Sequence, residues 1–255
     1  MTTLTLDSAA ETGQAAKARP GRLRKVLRFA LYGASATLVA VFAANIAWTM
    51  SGSSKWELEI DRDGVKVYSL KAPGAYNTQF KAVMRGKYTL NQLVGGLIEN
   101  STLDNCKKNI PDCVDVKVIS PWSAKTMSDT VLWKLALPEP LTAREMVLRS
   151  QVFQDPATKT VTVEILAAPS SAPRNADAVR LTHIQNRWRY TPVGKGEVEI
   201  EFLQDFDMGG MFPTLLLNLA GAEETYKFIH DQLPALINTE KLRAIKYDFI
   251  AEGNS

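Results

Sequence analysis

The sequence predicts an α+β chain: one curved antiparallel sheet closed by a long C-terminal helix, preceded by a single N-terminal transmembrane helix. Three observations carry this reading. Phe29 to Met50 is an uncharged apolar run, long enough as a helix to cross a hydrocarbon core of about 30 Å. Between Lys55 and Phe206, short β-branched and aromatic runs alternate with turn residues, and the connections are too short for βαβ crossovers. After Pro213 the apolar spacing changes from two to three and four, the period of a helix.

The N-terminal run reads as a membrane signal because of its flank. Lys17, Arg19, Arg22, Arg24, Lys25 and Arg28 precede it, opposed by Asp7 and Glu11. The chain carries +3, so the remainder holds 24 bases against 25 acids and is close to neutral. That balance leaves no electrostatic footprint for nucleic acid. By the positive-inside rule the N-terminus stays in the cytoplasm, which places the body on the periplasmic side of the inner (plasma) membrane. A retained signal anchor fits better than a cleaved signal peptide, since the run exceeds a signal core of roughly 7–15 residues. Ala47, with Asn45 two places before it, is also a poor cleavage site. Secretion after cleavage is the alternative. Residues 1–28 are thus expected to be a disordered basic tail and 29–50 the anchor, with Ser51–Ser54 a polar linker.

In the body, Trp56–Ile60 and Val65–Tyr68 alternate with period two around the turn Asp61-Arg62-Asp63-Gly64, a hairpin signal. Thr78–Arg85 is a further strand. Thr89 can N-cap a helix whose Leu90, Leu93, Val94 and Leu97 fall on one face. Leu103 to Pro111 reads as short and irregular. Strands then follow at Val114–Ile119, Thr126–Leu137, Arg144–Phe153, Thr160–Leu166, Ala178–Tyr190 and Glu197–Phe206. In the last of these, Val198, Ile200 and Phe202 share a face opposite Glu197, Glu199 and Glu201, so one side of the sheet is wet. The closing helix carries a stripe of Leu215, Leu219, Ala222, Tyr226, Ile229 and Leu233; Pro234 should kink or end it. Asn238–Phe249 is expected to be another helical segment. Cys106 and Cys113 could close a small disulfide loop in an exported domain, or remain free thiols in a cytosolic one. They lack the second pair a structural zinc site needs, and no metal or cofactor is expected.

Several runs resemble, in order and spacing, a START domain, the steroidogenic-acute-regulatory-related lipid-transfer module. Trp56 followed by Asp61-Arg62-Asp63-Gly64-Val65-Lys66-Val67-Tyr68 is similar to the family's opening. Pro140 with Arg144-Glu145-Met146-Val147 is similar to its P…R-D-x-V strand start. Val179-Arg180, Trp188, Tyr190 and the run Phe206-Asp207-Met208-Gly209-Gly210-Met211-Phe212-Pro213 continue the pattern. The resemblance spans residues 53–237 and leaves 238–255 as a C-terminal helical extension. It implies a helix-grip fold, with the sheet wrapped around the C-terminal helix and a tunnel for one lipid between them.

On that reading the tunnel would be lined from the strands by Val131, Trp133, Leu135, Arg144, Met146, Leu148, Ser150 and Phe202. From the hinge and helix it would be lined by Met211, Leu215, Leu219 and Tyr226. Glu145 stands where the family has Asp. Ser150 stands where sterol-binding members have a pocket Arg, so the ligand is not carried over with the fold. The expected function is binding and carriage of a hydrophobic small molecule, with lipid and membrane as partners and no catalysis. His183 and His230 lie in no nucleophile motif, and no G-x-S-x-G, H-E-x-x-H or P-loop occurs. A ligand-regulated sensor or adaptor is one alternative, its lids sought in Pro138–Thr142, Ala167–Ala176 and Asp207–Pro213. A helix-grip cyclase or hydrolase is the other.

Overall fold

The computed structural model describes residues 20–253 apart from 100, 111, 211 and 213. It divides into two units, Met1–Trp48 and Thr49–Ser255. In the first, helix α1 runs Pro20–Met50, beginning before the expected residue 29, so that Arg24, Lys25 and Arg28 ride on its first turns. Its segment Arg24–Met50, within which an 18-residue stretch has mean hydropathy 1.7, is long and apolar enough to span a membrane or act as a signal anchor. The tail expected to be disordered lies, over residues 1–19, outside the described residues.

The second unit is built on a ten-stranded sheet: β1 (Glu57–Arg62), β2 (Val65–Leu70), β3 (Gln79–Gly86), β4 (Cys113–Ser123), β5 (Ser128–Leu135), β6 (Ala143–Gln154), β7 (Val161–Ala167), β8 (Ala178–Arg180), β9 (Gln185–Gly194) and β10 (Glu197–Gln204). The spatial order is β1-β2-β3-β10-β9-β7-β6-β5-β4, with every neighbouring pair antiparallel. Asp63 and Gly64, both at positive φ, make the tight β1–β2 turn that Asp-Gly favours. Residues 178–190, read above as one strand, divide. β8 pairs parallel with the start of β6, and Leu181–Ile184 breaks the run before β9. Thr182 and His183 have no ladder partner there, while Leu181 and Ile184 turn inward.

Helix α2 (Leu90–Ile98) is capped as expected, Thr89 accepting from the Gln92 N–H. The stretch after it is a helix rather than irregular: α3 (Leu103–Asn109) is N-capped by Thr102 and carries Asp104 in its first turn, Lys107 and Lys108 in its last. The closing helix comprises α4 (Thr214–Lys227), a π turn over Phe228–Gln232 and α5 (Leu233–Ile237). In that turn the Leu233 N–H reaches back to the Phe228 carbonyl. Pro234 has no N–H to give, and widening the turn lets the helix continue past it instead of ending. The expected helix over 238–249 shortens to α6 (Glu240–Ala244), and the chain then runs as an irregular strap.

The core lies between the concave sheet face and this helix. Val65, Val67, Val161, Val163, Ile200, Phe202 and Trp188 from the strands meet Tyr226, Ile229, Leu233 and Ile237. The buried stripe therefore starts later than predicted. Leu215 and Leu219 are 58% and 73% exposed, because the first turns of α4 face the sheet with Leu217, Gly221 and Thr225. Gly221 permits this approach: a Cβ there would stand 2.1 Å from the Phe80 ring. The β1–β2 turn is latched to the helix by Tyr226, whose hydroxyl donates to Asp63 at 2.8 Å while Arg62 stacks on its ring and pairs with Glu223. The strap is fastened by Glu252, which accepts from the Leu90 and Asn91 N–H groups at the start of α2.

Truncating Ile229 tests this arrangement, since it is 1% exposed at the middle of the contact. Ile229→Ala should lower the urea unfolding free energy by about 2–5 kcal/mol. Lys227→Ala, on the exposed side, should stay within about 0.5 kcal/mol.

Candidate functional site

β5 and β6 form a part of the concave wall where several inward side chains are only half-buried. Register pairs Trp133 with Met146, Val131 with Leu148 and Asp129 with Ser150. Trp133 faces Phe228 and Leu236 of the closing helix, and Met146 and Leu148 pack on the cluster of Leu181, Ile184 and Met208. Alternation therefore turns Asp129, Val131, Trp133 and Leu135, with Arg144, Met146, Leu148 and Ser150, toward the helix. Trp133, Leu135, Met146, Leu148 and Ser150 are only half-buried, whereas Val147 on the opposite face is sealed.

A cavity of about 160 Å³ opens between this wall and the helices, lined by Leu97, Cys106, Ile110, Trp133, Phe228 and Leu236, with Gly96 and Asn105. Cys106 and Cys113 are joined as a disulfide with Cα atoms 5.8 Å apart, fastening α3 to the start of β4 at the cavity wall. A second cavity of about 90 Å³ lies under α4, between Phe80, Phe206, Leu217 and Gly221. Both are smaller than the roughly 300–1,000 Å³ of a typical ligand site, so a whole lipid needs the helix to part from the sheet.

The remaining predicted lining residues have other places. Phe202 stacks on Trp188 at 4.1 Å beneath the π turn, in closed core. Tyr226 serves the hairpin latch, and Leu215 and Leu219 are exposed. Met211 lies outside the described residues. Arg144, 1% exposed, points inward but holds backbone. Its Nε donates to the Met208 carbonyl at 2.6 Å, Nη2 to Gly209 at 3.1 Å and Nη1 to Thr142, with Phe212 against the guanidinium. Burial lowers its pKa from the usual guanidinium value.

Arg180 does the same for the opposite loop. It pairs with Glu145 through Nε at 2.8 Å and donates to the carbonyls of Pro169, Ala172 and Pro173. All three segments considered as lids are therefore held at a backbone carbonyl by one of these buried arginines. His183 meets Asp205 at 2.9 Å, and Gln79 donates to the other Asp205 oxygen, but this pair borders an open cleft beside Tyr76 and Asp207 rather than the apolar cavity. Phe228, Leu236, Leu97 and Ile110 were not foreseen as lining. Asp129 was not foreseen either, although it shares the Val131 and Trp133 face. It is 8% exposed; burial raises its pKa above the usual carboxylate value, and the Ser150 hydroxyl and N–H partly counter this.

The fold is that of STAR-related lipid transfer structures. A protein of that description from Xanthomonas axonopodis superposes with a TM-score of 0.60 at 22% identity, over 74% of this chain and 98% of that one. Human STARD10 gives 0.62 at 17% identity, over 75% and 77% of the two chains. Human StAR-related lipid transfer protein 5 gives 0.56 at 13%, over 80% and 97%. In sequence, the chain is 25% identical over 163 residues to an uncharacterized protein of Pseudomonas aeruginosa, covering 64% of this chain and 77% of the other. No family model matches. The helix-grip fold expected from the motifs is thus present, with the sheet curved around the C-terminal helix.

Asp129 generates a pH prediction. A carboxyl whose pKa is raised by folding binds more protons folded than unfolded, so stability falls as pH rises from about 4. Asp129→Asn should therefore gain on the native protein between pH 4 and neutrality in urea unfolding, with the gap closing below about pH 4. A native protein that gains on the variant as pH rises would show that the carboxylate is stabilised instead.

Proposed function

We infer that this chain binds one hydrophobic small molecule, a lipid, between its concave sheet and C-terminal helix, and carries it at the membrane that holds α1. The observation that carries the reading is the apolar cavity between Trp133, Phe228 and Leu236, set against a wall of half-buried inward side chains. An apolar wall with few polar groups favours an acyl chain or ring system and disfavours a charged substrate. Cys106 in the lining is held in a disulfide, which removes it as a nucleophile. Lipid transfer is what the names of the Xanthomonas axonopodis and human StAR-related relatives describe, and it agrees with this geometry. Carriage is favoured over catalysis on the same ground.

The membrane assignment rests on α1 and its basic flank, which orient the N-terminus toward the cytoplasm and the folded domain outward. A disulfide agrees with an oxidising compartment such as the periplasm.

Leu236→Trp should fill the cavity. Loading of a fluorescent long-chain lipid into residues 49–255 should fall at least several-fold, with the unfolding midpoint little changed. Equal loading would remove the cavity from the account. Alkaline phosphatase fused after Ser255 should be active in cells; activity confined to a cytoplasmic reporter at the same position would reverse the topology.

A further inference from the structure

The last carbonyls of a helix have no partner within it, and α1 has no basic residue in its last turn to complement them. The folded domain supplies both. Thr49 and the residues after it belong to the second unit, where they lie against the β2–β3 loop. The Gly74 N–H donates to the Thr49 carbonyl at 2.7 Å. Lys71 Nζ donates to the same carbonyl at 3.4 Å and to that of Ser51 at 2.9 Å. A donor and a positive charge so placed satisfy a helix C-terminus and complement its dipole. In return the Ser54 N–H donates to the Lys71 carbonyl at 3.2 Å. Gly52 permits this closeness: it sits at φ 111°, and a Cβ there would stand 2.2 Å from the Lys71 oxygen. Residues 51–54, a polar linker in the sequence, are therefore strapped down rather than loose.

Beyond Lys71 the loop Ala72-Pro73-Gly74-Ala75-Tyr76 carries no charge, and Tyr76 is 59% exposed. Asn218 ties this loop to α4, donating to the Tyr76 carbonyl at 3.0 Å and accepting from the Thr78 N–H at 2.9 Å. The exposed Leu215 and Leu219 flank Asn218 on that helix and extend the uncharged surface. We propose that the β2–β3 loop seats Tyr76 in the interface of the bilayer that holds α1 and, through Lys71 and Gly52, clamps the domain to that surface. This rests on the reading of α1 as a membrane span and is independent of what the cavity holds. Chain continuity carries it. The span ends at Met50, and the loop bonds the residues on either side of that end. Tyrosine, with an apolar ring and a polar hydroxyl, suits the headgroup level. The chain itself brings the bilayer surface to the loop, so no second macromolecule is needed to cover it. Released, residues 51–54 could stretch to about 14 Å. Clamped, they keep the domain on the membrane in which it is anchored.

The test uses the full chain in nanodiscs of phosphatidylcholine and phosphatidylglycerol, with the photoreactive residue p-benzoylphenylalanine at position 76 or, as control, at 157. Ala157 is exposed in the β6–β7 turn, at the end of the sheet away from the β2–β3 loop. Illumination should give lipid adducts at 76 and few at 157. Gly52→Ala, which drives a methyl group into the Lys71 carbonyl, should cut the yield at 76 several-fold, and Lys71→Met should do the same. Equal yields at the two positions, or crosslinks to a second copy of the chain in place of lipid, would overturn the proposal. A yield at 76 that neither clamp variant changes would overturn it too. A full chain that alkaline carbonate strips from membranes would overturn the anchor reading itself. The comparison of 76 with 157 keeps the clamp intact and decides the docking even where Gly52→Ala does not fold.

Discussion

A sheet that curls presents an apolar concave face, and the rest of this structure depends on the C-terminal helix covering it. Ile229, Leu233 and Ile237 supply the buried stripe, each almost wholly removed from water. At about 25 cal/mol per Å² of apolar surface, each such side chain contributes roughly 1.5–3 kcal/mol. The same packing defines the functional space, because what the helix does not fill against the sheet remains as cavity. Stability and the proposed ligand binding therefore draw on one interface.

That interface has two regimes. Beneath the π turn it is closed, with Trp188, Phe202 and Phe228 in mutual ring contact. Along β5 and β6 it is loose, and the half-buried Met146, Leu148 and Ser150 face the helix across incomplete packing. The surroundings of the loose part are held from outside. The disulfide fastens α3, Arg144 holds the Met208–Gly209 carbonyls ahead of α4, and Arg180 with Glu145 holds the loop through Pro169–Pro173. A fully buried guanidinium bound to carbonyls loses much of its stabilisation once those carbonyls move. Movement is thereby directed away from these loops and toward the contact between helix and sheet.

Much of this was legible in the sequence, where local periodicity and global burial agree. The β1–β2 hairpin, the capped α2 and the inward set of β5 and β6 follow from alternation and capping alone. Helix α1 follows from length and flanking charge, though its first turns are polar and its start could not be seen in apolar periodicity. Helix α3 escaped because its residues are mostly polar and its order depends on caps and a disulfide. Leu215 and Leu219 looked buried because leucines at helical spacing do not reveal which face meets the sheet; Gly221 against Phe80 decides that. Arg144 read as a pocket residue, since alternation gives the face of a side chain but not the carbonyls it will find. Asp129 is absent from the predicted lining because nothing in the sequence marks a strand acid as buried; its burial on the face of Val131 and Trp133 distinguishes it.

The central claim is that the space between sheet and helix holds a lipid. Native mass spectrometry of residues 49–255, purified without detergent from a lipid-rich host, tests it most directly. The account predicts one adduct per domain, of lipid mass, released by organic extraction and identifiable as a single chemical class. A domain that is folded, carries no adduct and takes up none from added lipid would contradict it.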